Sequence, residues 1–243
     1  MVTEILTNSL PATNGRRVMA CLVPPLQSGD HLTRQEFERR YDAMPHVKKA
    51  ELIEGIVYMS SPVRYDVHAE PHSWLNWWLT SYAVMTPGVR VGDNGTLRID
   101  PDNEPQPDVT PWIDEKHGGQ AVIDEQGYMA GAPELVAEVA ASSASYDLHE
   151  KLRIYQRNGV REYLVWSVFD EQFQWFRLSG RRYVEQMPDA DGIIASRVFP
   201  GLRLNVAALL GGNLGQVLTD LQAGLATPAH TDFARRLREA QSV

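Results

Sequence analysis

The chain has 243 residues, 43% of them hydrophobic, which suits one domain with terminal additions and excludes wholesale disorder. A single cysteine, Cys21, excludes an internal disulfide framework and a cysteine-based zinc site, and fits a reducing compartment. The net charge of −8 counts against a nucleic-acid binder held by bulk electrostatics, yet leaves room for a local basic groove and for the clustered carboxylates that a cation site needs.

Residues 1 to about 30 hold Pro11, Pro24, Pro25 and Gly29 without a clear period and read as a loosely ordered arm. Thr33 and Glu36 fit a capping box, which predicts a helix over 34–43 that stops before Pro45. Residues 51–60 predict a strand on the run Ile56-Val57-Tyr58-Met59, with Gly55 as a turn or bulge before it. Pro71 suits the first turn of the next helix, where Leu75, Trp78, Leu79 and Tyr82 share one face. Trp74, Trp77 and Trp78 in that helix suit core packing or a partner surface. Pro87-Gly88 ends it. Strands are predicted over 96–100 and 108–113, and the glycine-containing connection 114–132 reads as a mobile loop.

Residues 134–140 form an apolar run broken only by Glu138, as in a central strand covered on both faces. After Ser142-Ser143 a helix is predicted from about Tyr146 to Asn158, ended by Gly159. Residues 162–168 read as a strand, and 172–178 with 182–186 as an antiparallel meander. Leu214, Val217, Leu218, Leu221 and Leu225 make an amphipathic stripe, and 230–243 reads as helical or frayed. The order implies an α/β fold of the α+β kind, a mixed sheet with flanking helices and a meander. No apolar run reaches the ~18 residues of a membrane span, and the N-terminus lacks the apolar centre of a secretory signal. The expectation is a soluble, cytoplasmic protein.

Seven residues are candidates for chemistry. Glu138 is a carboxylate in a buried strand, a costly placement unless it is paired or bound to a metal. Lys151 flanks the inward face of its helix on a wheel, where Leu148, Leu152 and Tyr155 converge; it either snorkels outward or aims its ammonium at a buried carboxylate such as Glu138. Asp108 opens a strand after a polar loop, thirty residues before Glu138, and two carboxylates on neighbouring strands can share a hard dication. Glu51 and Glu54 stand just before the first strand as further ligands or as surface charges beside Lys48 and Lys49. His68 and His72 have a metal-binding spacing if both are helical, weakened by Pro71 between them and by the missing third ligand.

The segments ELIEGIVYMSSP (51–62), QPDV (106–109), GAPELVAEVAASSASYDLHEKLRIYQRNGVREYLVW (131–166) and FPGLRLNVAALL (199–210), in this order, resemble the bacterial putative restriction endonuclease family of the PD-(D/E)XK nuclease superfamily. The resemblance spans about 33–210. It implies a restriction-endonuclease-like core over 31–210, preceded by the arm 1–30 and followed by a helical extension over 211–243. It makes Asp108 the aspartate of the "PD" element, Glu138 the "D/E" carboxylate, Glu51 the early glutamate and Lys151 a lysine carried on the helix. In the simple signature the lysine stands two residues after Glu138, and here that position is Ala140. The implied activity is a Mg²⁺- or Mn²⁺-dependent endonuclease acting on DNA. Asp108, Glu138 and Glu51 would bind the metal, and Lys151 would position the attacking water. A homodimer suits cleavage of both strands. The alternative is an inactive nuclease fold used for binding, and an RNA or nucleotide phosphodiesterase is a third.

Overall fold

The structure, a computed structural model, describes residues 23–59, 64–140 and 147–240. Cys21, most of the N-terminal arm, Ser60, Ser142-Ser143, Tyr146 and residues 241–243 lie outside the described residues.

Helix α1 (Arg34–Asp42) starts at Thr33, whose hydroxyl accepts from Glu36 N. Only half of the capping box forms, because the Glu36 carboxylate turns to Arg39 and Arg40. The strand expected on Ile56–Met59 forms as β2 (Ile56–Met59), and a further strand before Gly55, β1 (Ala50–Ile53), pairs with it as a hairpin. The turn needs two left-handed residues, Glu54 at φ 52° and Gly55 at φ 72°, and the glycine adopts that conformation without strain. Residues 23–30 are seated on this hairpin: Leu26 is buried with Phe37, Leu52 and Val57, and Gly29 N donates to Val57 O.

Helix α2 (Glu70–Val84) follows a π-helical turn, Tyr65–Ala69, in which Glu70 N donates to Tyr65 O. Pro71 has no N–H to give and its ring crowds the preceding carbonyls, which favours a widened turn there. The inward face holds Leu75, Trp78, Leu79 and Tyr82 as the spacing predicts.

The central sheet has six strands in the order β11-β10-β9-β8-β5-β3. These are β3 (Val89–Asp93), β5 (Val109–Ile113), β8 (Leu135–Ala140), β9 (Glu162–Ser167), β10 (Gln172–Ser179) and β11 (Arg182–Glu185). β8 lies between β5, antiparallel, and β9, parallel, and all six of its residues are buried. β9, β10 and β11 form the expected meander.

Two differences stand out. The edge strand β3 was not predicted, because Arg90, Gly92 and Asp93 break its apolar pattern. The strand expected over 96–100 shrinks to β4 (Leu97–Arg98) and leaves the main sheet. It pairs with β7 (Met129–Ala130), which pairs with β6 (Val122–Ile123), so the connection 114–132 carries two strands and a 3₁₀ turn, Glu115–His117.

The two faces of β8 bury different layers. Leu135, Ala137 and Val139 pack with α2 and the C-terminal helices. Val136 and Ala140 pack under α3 (Leu152–Asn158), with Ile154 and Tyr155. A hairpin, β12 (Ile193–Ala195) with β13 (Arg203–Asn205), leads into α4 (Val206–Leu210), α5 (Leu214–Leu225) and α6 (Pro228–Ala240). Val217, Leu221, Phe233 and Leu237 from the last two helices join the first of these layers. None of the helices among the described residues is long and apolar enough to cross a membrane.

Candidate active site

Alternation along β8 sends Glu138 to the same face as Val136 and Ala140, under α3. The pairing of Val109 with Ala137 continues one step to set Asp108 opposite Glu138. Backbone groups lock the two together. Val139 N donates to Asp108 Oδ2 at 2.9 Å, and Asp108 N points at Glu138 Oε2 at 3.4 Å. Glu51, expected just before the first strand, lies within β1, and its Oε1 accepts from Gln106 N at 2.7 Å. The hairpin therefore grips the loop that leads to Asp108.

Lys151 closes the group. Its ammonium lies 2.9 Å from Glu51 Oε1 and 2.9 Å from Glu138 Oε1. Tyr155, one turn further on, donates its hydroxyl to the same Glu138 oxygen at 3.1 Å. Asp108, Glu138 and Lys151 are 2%, 3% and 3% exposed and Glu51 is 7% exposed, so the cluster sits in protein, not water. Of the two orientations open to Lys151 in the sequence, the inward one is realised. A second π-helical turn, Asp147–Lys151, ends at this residue. Ala140 is fully buried against Ile154 and Tyr155, so the ordinary lysine position is occupied by core.

Three residues of the neighbourhood had a weak signal or none. Lys49, read as a surface charge, places its ammonium 3.2 Å from Asp108 Oδ1 and 3.5 Å from Asn94 Oδ1. Its side chain stays a quarter exposed, so it is the cation of the cluster that faces solvent. His68 Nδ1 lies 3.0 Å from the Val139 carbonyl, which only accepts, so the proton belongs on Nδ1 in that contact. Its Nε2 then faces Asp108 Oδ1 at 3.7 Å. His72 Nε2 lies between the Asp108 carbonyl, 3.2 Å, and Asp93 Oδ1, 2.9 Å. The histidines do not pair as a chelate of their own; they brace the two ends of the Asp108 residue. Glu54 is not brought in and pairs with Arg157 at the hairpin tip.

The electrostatics follow from this packing. Burial works to raise the Asp108 carboxyl, but the Lys49 ammonium, His68 and the Val139 N–H outweigh it and hold it below the usual carboxylate value. Burial likewise works against the charge on Lys49, and the Asp108, Glu138 and Glu51 carboxylates outweigh it and raise that ammonium.

The family model for Uma2, described as "Putative restriction endonuclease", matches residues 34–207. The chain belongs to that family. A solved structure with the same fold is described as a putative nuclease belonging to DUF820 from Anabaena variabilis ATCC 29413, at 14% identity and a TM-score of 0.56. The match covers 71% of this chain and 96% of that one. A comparison with curated proteins returned no match.

Restriction-endonuclease-like nucleases usually use divalent metals, and the cluster can be tested for fit. Its donors are carboxylate oxygens, the set that hard dications such as Mg²⁺ take. Three carboxylates also outnumber the two ammonium groups that face them. By donor chemistry the residues fit a dication. Among the described residues no three ligand groups already converge as a metal site, because Lys49 and Lys151 stand between the carboxylates.

Proposed function

We propose that this Uma2-family chain is a Mg²⁺- or Mn²⁺-dependent endonuclease that hydrolyses DNA phosphodiester bonds in the cytoplasm. The observation that carries the reading is Lys151 held between Glu51 and Glu138, beside Asp108, with all four side chains buried at the junction of β1, β5, β8 and α3. Asp108, Glu138 and Glu51 would hold the metal. When bound, such an ion polarises the scissile phosphate and lowers the pKa of a coordinated water.

The protein's own groups supply the rest. Lys151, with its ammonium already placed by two carboxylates and its helix by Tyr155, orients the attacking water and offsets negative charge that builds on the phosphate. Lys49, at the exposed rim, receives a phosphate oxygen. His72 and the Val139 N–H fix the Asp108 main chain and carboxylate, so that little reorganisation is left for the reaction.

The test incubates supercoiled plasmid with the purified chain in Mg²⁺, in Mn²⁺ and in chelator, alongside Lys151→Ala and Glu138→Ala. Metal-dependent nicking lost in both folded variants is the expected result. Linearisation without a nicked intermediate is the outcome a homodimer with two sites produces. A second reading, a nuclease fold that binds without turnover, is favoured by the lysines standing between the carboxylates. Absence of cleavage by the folded wild-type chain on DNA and RNA substrates would decide for it.

A further inference from the structure

A concavity of about 340 Å³ opens on the β3 edge of the sheet. Its floor comes from β5, where Thr110 and Trp112 alternate with the core residues Val109 and Ile113. Its far wall is Tyr128, from the connection expected to be a mobile loop.

Four observations point to one kind of ligand. The first is Gly92, which pairs with Thr110 in the ladder and lines the cleft. Its φ is not positive, and a Cβ built on it meets only the Thr110 carbonyl, at 3.9 Å. Neither backbone geometry nor internal packing requires glycine there, and a strand-interior glycine free of both is often a site where a ligand or another backbone approaches closely.

The second is the pair of aromatic side chains that line the cleft, Trp112 in the floor, 4% exposed beneath Arg90, and Tyr128 in the wall. The Arg90 guanidinium lies 5.0 Å from the Trp112 ring centre, and the Arg98 guanidinium lies 4.1 Å from that of Tyr128. Arg90 is exposed and held by a surface pair with Asp114, a weak tether that leaves it free to swing off the indole. The third is Thr110, a residue only 4% exposed that lines the cleft and whose hydroxyl has no hydrogen-bond partner among the described residues. It offers one donor and an acceptor to the edge of a planar ring.

The fourth is position. Thr110 follows Asp108 by two strand residues, about 7 Å. Lys49 bridges Asp108 and Asn94, and the next two residues, Gly95 and Thr96, line the cleft.

We infer that this cleft holds an unpaired nucleobase of the strand whose phosphate lies at the carboxylate cluster. The inference rests on the nuclease reading and narrows it, making the substrate single-stranded or locally unpaired DNA. A base stacked inside a duplex cannot enter such a cleft without leaving the helix. Recognition is by stacking on Tyr128 and, once Arg90 swings away, on Trp112, which tolerates any base, with Thr110 touching its edge.

The test measures binding, in chelator so that nothing is cut, of a labelled thymidine hexanucleotide and of an abasic deoxyribose-phosphate chain of the same length and charge. The wild-type chain should prefer the thymidine strand by roughly tenfold, the scale of one base stacked on an aromatic side chain. Trp112→Leu and Gly92→Val should each abolish that preference. Gly92→Val places a β-favouring side chain whose Cβ makes only an ordinary contact with the Thr110 carbonyl, so it decides the question if Trp112→Leu fails to fold. Equal binding of the two strands by wild type, or an undiminished preference in folded Gly92→Val, overturns the inference. Plasmid cleavage by a protein indifferent to bases ends this inference and leaves the nuclease reading standing. Base-dependent binding by a protein that never cuts supports the cleft and removes the nuclease reading.

Discussion

At the scale of single residues, Asp108 and Lys151 play separable parts. Asp108→Asn keeps the size and the hydrogen bond from Val139 but removes the charge that Lys49 faces. Cleavage is expected to fall by at least about 10²-fold, the scale of losing one preorganised electrostatic contact at a reacting centre, while the fold persists. Undiminished cleavage by folded Asp108→Asn would exclude the assignment. Its carboxyl, lowered on folding from an ordinary value of 3.8, contributes stability above that pH and loses it as pH falls through the lower folded value. The asparagine variant should therefore show a weaker acid dependence of its melting temperature. Lys151→Ala differs in kind. It takes one cation from two buried carboxylates, and breaking a buried ion pair costs about 3–5 kcal/mol. Its loss of activity is informative only with circular dichroism and a denaturant midpoint beside it.

At the scale of elements, two π-helical turns do the positioning. Tyr65–Ala69 carries His68 to Asp108, and Asp147–Lys151 carries Lys151 to Glu51 and Glu138. Both precede ordinary helices, so a 100° wheel puts the site residues near the right face without showing how far they turn inward. A different junction, between α1, β4 and the loop before β5, stores a pH dependence. Glu104 is buried beside the Glu38 carboxylate, and burial first, then that neighbour, push its carboxyl up to about 8, against the pull of Arg98. The folded state thus holds a proton that the unfolded chain has released above about 4.5. Stability contributed by this group is full below that pH and is lost as pH rises towards 8. Glu104→Gln should raise the melting temperature at pH 8 and flatten its decline from pH 5. An unchanged pH slope would show that the pair is relieved in another way.

At the scale of the whole molecule, the C-terminal helices complete the layer that α2 begins over the sheet. Deleting residues 211–243 strips Val217, Leu221, Phe233 and Leu237 from a shared core, and even one such large-to-small change costs about 2–5 kcal/mol. The truncated chain is expected to unfold or aggregate, read by loss of a cooperative thermal transition. A cooperative, monomeric 1–210 fragment would mean that the helices are dispensable cover.

Much of this was legible beforehand because it depends on local patterning. The apolar run around Glu138, the one-faced helix at Leu75–Tyr82 spacing, the meander and the Gly159 stop are written in periods of two or 3.6 residues. The buried carboxylate stood out because burial of charge needs a reason. Other features had no local signature. β3 is recognisable only by the neighbour it pairs with, since an edge strand tolerates the charges and glycine that hide it. Lys49 looks like any surface lysine until the hairpin lays it against Asp108, fifty-nine residues away. The sequence by itself determined which strand is central and which charged residues had to be accounted for, because those follow from hydrophobicity and spacing along the chain. Only the tertiary structure decided that Lys49, His68 and His72 meet Asp108, and that Lys151 points inward, because these depend on distances between segments that the chain brings together by packing.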